Sequence, residues 1–217
     1  MSPSLKRRLW FAALYFSEGA PIGWLWWALP SQLRRAGVEV PEITALTAAL
    51  ALPWALKFVW APLVDVLRAR WFGYRGWLLL AQLGMAATLL PMLTLDPVDE
   101  WQSVFGLLLA HAFCAATQDV AIDGLAIATV PDGERGELNG AMQTGMIAGR
   151  VLFSAGVLHL GDAFGARVAV PGLLSVLAVV LLFVAFPPIA MPPPASRARP
   201  LGPRRRRYLA ALLRSGR

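Results

Sequence analysis

The segment AFCAATQDVAIDGLAIATV, residues 112–130, is apolar but is interrupted by Gln118, Asp119 and Asp123. Asp119 and Asp123 are four residues apart, so on a helix their carboxylates share one face. A segment this apolar is typical of a membrane-spanning helix, in which a charged side chain is costly. The stretch therefore predicts a membrane helix that turns an acidic face toward a polar interior.

The composition of the whole chain also indicates a membrane protein. Hydrophobic residues make up 57% of the 217 residues and charged residues only 15%, whereas soluble domains have about 25% charged residues. The net charge of +7 does not indicate a nucleic-acid-binding protein, because the basic residues lie between and after the apolar segments. The single cysteine, Cys114, offers neither a disulfide framework nor metal-ligand spacing. The first apolar stretch contains Glu18 and lacks the cleavage site of a signal peptide.

Six apolar segments approach or exceed the length of about 20 residues that a transmembrane helix requires. They cover residues 9–33, 43–67, 76–95, 104–130, 138–159 and 168–189, and short polar connections join them. The sequence thus predicts an all-α polytopic membrane protein, with a six-helix bundle over residues 1–190. Residues 191–217, rich in proline and arginine, are predicted to form a cytoplasmic linker with a short basic amphipathic segment that binds anionic lipid.

The distribution of basic residues predicts that both termini lie in the cytoplasm. In that orientation the inside segments hold Lys6, Arg7, Arg8, Arg68, Arg70, Arg75, Arg135 and the basic tail. The outside loops hold only Arg34, Arg35 and Arg167, together with the acidic Asp96, Asp99 and Glu100. Lysine and arginine are favoured on the cytoplasmic side of membrane proteins, so the chain is predicted to be a multi-pass protein of the inner membrane.

Four of the six predicted spans carry charged residues within the membrane. These residues are Glu18 in span 1, Lys57 in span 2, Asp119 and Asp123 in span 4, and Arg150 in span 5. Each charge at a helix centre is assigned about 2.5–3.5 kcal/mol, so five facing lipid would cost over about 10 kcal/mol. These five residues must therefore face one another or a polar cavity. Together with Gln118 and Gln143 they are predicted to line a pathway for substrate or protons.

Lys57 and Asp119 lie at similar depth with opposite charge, which predicts a buried pair between spans 2 and 4. An alternative is that such pairs only hold helices in register. Asp123 has no obvious cation at its depth, so it is a candidate proton carrier. Glu18, in a helix weakened by nearby glycine and proline, is the rival carrier. A capping or loop-binding role near residues 131–137 is the alternative for Asp123.

Span 5 carries two features that predict a partner. Arg150 near the middle of the membrane needs an anionic group, either a carboxylate of a substrate or Glu18 or Asp123. The small residues Gly145 and Gly149 allow another helix to approach closely. We therefore expect the faces of spans 2 and 5 to cover a second six-span unit.

Three segments together resemble the AmpG-type branch of the major facilitator superfamily, which comprises muropeptide permeases and, more distantly, acetyl-coenzyme A transporters. These segments are YFSEGAPIGWLWWALP (15–30), LKFVWAPLVDVLRARWFGYRGWLL (56–79) and ATQDVAIDGLAIATVPDGERGELNG (116–140). They are spread over spans 1 to 5, so the resemblance covers nearly the whole chain.

The resemblance implies a proton-driven carrier that imports anhydro-muropeptides for cell wall recycling, without a cofactor or metal. It implies that spans 1 and 4 line the cavity, that spans 2 and 5 face the other half, and that spans 3 and 6 lie outside. It also implies a charged latch between spans 2 and 3, formed by Asp65, Arg68 and Arg75. The arginine that often follows the aspartate is Val66 here, a departure from the usual latch.

The resemblance also sets the alternatives for function. Carriers of this superfamily have about twelve spans built as two six-span halves, so a second half, from another copy or a separate chain, is expected to complete the substrate site. The alternative is a membrane assembly protein without transport, or an inactive permease fragment. An enzyme is not indicated, because no nucleophile–base arrangement, metal spacing or phosphate loop is present in the sequence.

Overall fold

The structure of the protein, a computed structural model, describes residues 2–67, 73–95, 100–165, 168–187 and 189. Within these ranges the chain forms six long helices and no strand. The six helices are α1 (Pro3–Gly23, continued by Trp24–Ala28 and Leu29–Arg35), α2 (Val40–Leu67), α3 (Gly73–Leu89), α4 (Trp101–Thr129), α5 (Arg135–Val151, continued by Leu152–Gly156 and Val157–Phe164) and α6 (Ala169–Ala185).

The six helices correspond one to one with the six predicted spans, which confirms the all-α architecture. By length and hydropathy alone, α2, α3, α4 and α5 qualify as membrane spans. Helix α6 is strongly apolar but has only 17 residues, and α1 carries three basic residues at its start and Glu18 further along. The predicted terminal segment, residues 191–217, lies outside the described residues.

Helices α1 and α5 are in backbone contact along a row of glycines. A Cβ atom added at Gly19 would overlap the carbonyl oxygen of Met146, and one added at Gly145 would overlap the carbonyl oxygen of Ala12. Gly23 and Gly149 lie equally close to backbone atoms of the facing helix. We call these four residues, Gly19, Gly23, Gly145 and Gly149, the glycine seam.

The glycine seam corrects one prediction from the sequence. The sequence predicts that Gly145 and Gly149 receive a second six-span unit, but in the structure they pack against α1 of the same chain. The physical reason is complementarity, because α1 also presents small residues at a four-residue spacing, Gly19 and Gly23. Two such faces allow the helix backbones to interlock.

Ion pairs join α1 and α5 at both ends of the seam. At one end Arg7 pairs with Glu134, just before α5, and Arg8 pairs with Glu137. At the other end a nitrogen of Arg35 lies 2.6 Å from a carboxylate oxygen of Asp162. The seam and its flanking pairs therefore hold the two helices together over most of their length.

Both helices of the seam contain a π-helical turn. These turns are Trp24–Ala28 in α1 and Leu152–Gly156 in α5, and the two contact each other. A π turn holds an extra residue and often lies at a functional position. The two irregular turns therefore lie side by side, beyond the glycine seam.

Helix α2 is attached to the bundle by side chains. Two aromatic contacts join it to its neighbours: the rings of Trp54 and Trp26 lie 5.5 Å apart, and those of Trp60 and Phe113 lie 5.4 Å apart. Large apolar side chains cover much of its remaining surface; for example, Phe58 is 69% exposed. Exposed apolar side chains of this kind suit contact with lipid or with another membrane protein.

Candidate intramembrane polar site

Lys57 and Asp119 form the salt bridge that the sequence predicts between spans 2 and 4. The ammonium of Lys57, on α2, bonds a carboxylate oxygen of Asp119, on α4. The Asp119 side chain is only 9% exposed and the Lys57 side chain 35%. The pair neutralises a buried acid and, at the same time, ties α2 to the bundle.

Asp123 is hydrogen-bonded to α1 rather than to a cation. The hydroxyl of Tyr15 donates to its Oδ1 at 2.5 Å, and no described basic residue forms an ion pair with it. This bond does not support the alternative that Asp123 binds the loop near residues 131–137. Tyr15, only 5% exposed, is a site residue that the sequence analysis missed.

Glu18 is the most deeply buried acid of the site. It is 1% exposed, and its Oε2 has no hydrogen-bond partner in the described structure. The indole of Trp54, from α2, lies beside the same carboxyl group. Glu18 thus faces α2 from α1 and lies within electrostatic range of Lys57 and Asp119.

Gln118 lies in a buried polar cluster with Ser17 and Gln82. Its side-chain nitrogen donates to Oγ of Ser17 at 3.3 Å, and that of Gln82, on α3, donates to the same oxygen at 3.2 Å. All three side chains are at most 1% exposed. The cluster joins α1, α3 and α4, so the structure gives Gln118 contacts typical of helix packing.

Arg150 has no anionic partner among the described residues. Its Nε is buried and makes no hydrogen bond, and the backbone of the same residue lies against Gly23 of α1. The structure therefore does not bring Glu18 or Asp123 to this guanidinium. Gln143, one further predicted pathway residue, is exposed on α5.

Comparison with known sequences identifies the family of this chain. A profile of the Major Facilitator Superfamily matches residues 11–216, nearly the whole chain. The chain belongs to the Major Facilitator Superfamily. Its six helices form one half of the fold of this superfamily, and it is a multi-pass membrane protein.

Named relatives of this chain belong to the AmpG-type branch of the superfamily. It is 31% identical to the "Anhydromuropeptide permease" of Escherichia coli K12 over 128 residues, which are 57% of this chain and 25% of that protein. It is 28% identical to "Putative transporter AmpG 4" of Rickettsia felis over 152 residues, which are 68% of this chain and 36% of that protein. The matched regions thus span about a third or less of these relatives.

The latch that the superfamily resemblance implies is only partly described. Arg68 lies outside the described residues, and Asp65 is exposed at the end of α2. Arg75 donates a hydrogen bond to the backbone carbonyl of Ala185, the last residue of α6. Arg75 therefore ties the start of α3 to the end of α6, and the latch of Asp65, Arg68 and Arg75 stays a prediction.

Proposed function

We propose that this chain is one half of a secondary transporter, with proton-coupled import of an anhydro-muropeptide or a related amphiphilic solute as its activity. The observation that carries the proposal is the group of acids and bases on α1, α2, α4 and α5, within segments that cross the membrane. Intramembrane charges of this kind mark substrate, ion or proton pathways. The printed name of the Escherichia coli relative, a permease for anhydromuropeptides, supports this class of solute.

Glu18 is the proton carrier in this proposal. Its Oε2 is buried without a donor, so the charged form loses hydration that the protein does not replace. Binding a proton removes that cost, and releasing the proton becomes favourable when the site opens to water. The charge of Asp119 is neutralised by Lys57, and Asp123 accepts a hydrogen bond from Tyr15. The charged forms of these two acids therefore cost less free energy than that of Glu18.

A second six-helix unit completes the proposed carrier. The exposed apolar faces of α2 and α5 support this, since Phe58 and Val59 on α2 and Val151 on α5 are each at least 59% exposed. The second unit is another copy or a separate chain. Both termini lie in the cytoplasm in this proposal, because that orientation places most basic residues inside.

Uptake into proteoliposomes tests the proposed function. The full chain, with any second half that purifies with it, is reconstituted and offered anhydro-muropeptides with and without an imposed proton gradient. We expect accumulation only with the gradient. Absence of binding and uptake, with or without a second half, would favour a membrane assembly protein or an inactive fragment.

The coupling step is tested by Glu18→Gln. We expect this variant to exchange substrate across the membrane but to lose accumulation driven by the gradient. The matched control is Glu42→Gln, an acid exposed at the start of α2, which should accumulate substrate like the parent. Gradient-driven accumulation by Glu18→Gln would move the role to Asp123, for which Asp123→Asn is the corresponding variant.

A further inference from the structure

Glu18 is closed off from water in the described structure, since the residue is only 1% exposed. In the proposed function its carboxyl group gains and loses a proton in each transport cycle. Proton transfer requires groups within hydrogen-bond reach of each other. A neighbouring group that both donates and accepts a proton therefore has to connect Glu18 with water.

We infer that Tyr15 and Asp123 form a proton relay between Glu18 and water on the cytoplasmic side of the polar site. Tyr15 is the link in this relay, and Asp123 is the group that exchanges protons with water. The inference rests on the proposed transport function, since it gives the path of the proton that Glu18 carries there.

The first step of the relay lies within α1. Tyr15 and Glu18 are three residues apart on this helix, so they are neighbours on one face. A helical side chain leans toward the N-terminus, over the residues three and four positions before it, so the Glu18 side chain leans toward Tyr15. The two side chains are within electrostatic range of each other, and Tyr15 is the nearer of the two to the start of the helix.

The second step crosses from α1 to α4. The hydroxyl of Tyr15 donates to Oδ1 of Asp123 at 2.5 Å, and Asp123 is only partly buried, so its carboxyl group is open to exchange where Glu18 is not. Tyr15 lies about 4.5 Å along the axis from Glu18, toward the end of α1 that the proposed orientation places in the cytoplasm. The relay therefore leads from the buried acid to the cytoplasmic side.

The transfer through Tyr15 leaves its protonation state unchanged. The protonated carboxyl group of Glu18 passes its proton to the phenolic oxygen of Tyr15, while the proton of that hydroxyl passes to Oδ1 of Asp123. Glu18 becomes a carboxylate, Asp123 becomes the neutral acid, and Asp123 then releases the proton to water. No group is oxidised or reduced, and rotation of the hydroxyl restores the starting arrangement.

The other polar neighbours of Glu18 are less suited to this task. The indole of Trp54 lies beside the carboxyl group, but an indole N–H is a donor only and does not accept a proton. Lys57 and Asp119 are within electrostatic range of Glu18 but form a salt bridge with each other. A proton on Asp119 would break that salt bridge, whereas a proton on Asp123 keeps it.

Hydrogen–deuterium exchange at Glu18 tests the relay without transport. The full chain, with any second half that purifies with it, is placed in lipid nanodiscs and mixed rapidly with D2O. The infrared C=O band of the protonated carboxyl group, identified by its loss in Glu18→Gln, shifts when deuterium replaces the proton. The rate of this shift measures access of protons to Glu18.

Two variants interrupt the relay at different steps. Tyr15→Phe and Asp123→Asn should each slow the exchange by at least about tenfold, since a positioned proton-transfer group typically contributes a factor of about 10²–10⁴. The double variant should be no slower than the slower single variant, because the two groups act in series. An unchanged rate in Tyr15→Phe, which removes a single hydroxyl, would overturn the relay even where Asp123→Asn does not fold.

The matched control is Tyr74→Phe. Tyr74 is also buried, and its ring lies against Gly124 of α4, but it belongs to α3 and not to the relay. This variant should exchange at the rate of the parent, and equal slowing in Tyr74→Phe and Tyr15→Phe would contradict a specific path. Exchange that depends on Tyr15, in a chain that does not accumulate solute, would refute the transport proposal alone. Absence of a band that Glu18→Gln removes would refute both the relay and Glu18 as the proton carrier.

Discussion

The glycine seam and the attachment of α2 hold helices together in opposite ways. Along the seam, the backbones of α1 and α5 touch, and glycine is needed because any Cβ meets a carbonyl group. The first half of α2 buries Ile43, Leu46 and Leu50 in the core, whereas its second half is connected through the long side chains of Trp54, Lys57 and Trp60. Backbone contact fixes two helices in one position, whereas side-chain contacts can be released by a change of rotamer or protonation. We therefore expect α1 and α5 to move as one unit and the second half of α2 to move relative to them.

The largest effect is expected from a methyl group in the seam. Gly145→Ala places a Cβ on the carbonyl of Ala12, and relief requires separating two helices. Overpacking of this kind typically costs about 1–3 kcal/mol, and we expect the upper end because the obstacle is backbone. The measurement is thermal unfolding of the purified chain in detergent.

The matched control for the seam is Gly140→Ala, on the same helix. A Cβ at Gly140 meets nothing within 4 Å, so this variant should be as stable as the parent or more stable, since alanine favours helix by about 1 kcal/mol. Equal melting temperatures for Gly145→Ala and Gly140→Ala would show that the seam does not depend on backbone contact.

An intermediate effect is expected at the pair that anchors α2. Lys57→Ala leaves the buried Asp119 without its cation and should cost about 1–3 kcal/mol, less than at a fully buried pair because Lys57 is 35% exposed. The double variant Lys57→Ala/Asp119→Ala should lose less than the sum of the single variants. Unfolding of the four proteins of this cycle gives the coupling energy, and additive losses would contradict a direct interaction.

The smallest effect is expected at the exposed pair between Arg35 and Asp162. Both side chains are 61% exposed, so water and salt screen their attraction. Arg35→Ala should change the stability by about 0–1 kcal/mol, and the change should shrink as salt is added. A loss as large as that of Lys57→Ala would contradict the expected screening of this exposed pair.

The sequence was sufficient to predict the number of helices and the Lys57–Asp119 pair. Opposite charges at equal depth in a membrane have few other ways to be neutralised, so the pairing followed from physics alone. Tyr15 could not be found in the same way, because an aromatic residue in an apolar helix looks like a packing residue. Its role depends on the rotation of α1 against α4, which spacing along one chain does not define.

The partner of the glycine face of α5 could not be predicted from the sequence. Gly145 and Gly149 indicate that some helix approaches α5 closely, but the motif does not say which helix. Taken alone, Gly19 and Gly23 indicate positions that weaken α1, whereas the equal four-residue spacing of the two glycine pairs indicates that α1 and α5 pack together. The sequence predicts that Arg150 meets an anionic group of the substrate or of Glu18 or Asp123. In the structure its backbone packs against α1, and its side chain has no partner among the described residues.

The glycine seam also has a consequence for biosynthesis. The two halves of the seam are separated by about 125 residues of chain, and ribosomes add about 5–20 residues per second. Helix α1, with Glu18 in it, therefore leaves the ribosome roughly 6–25 s before α5 exists to cover its glycine face. During that interval the glycine face of α1 lacks the partner helix that covers it in the folded chain.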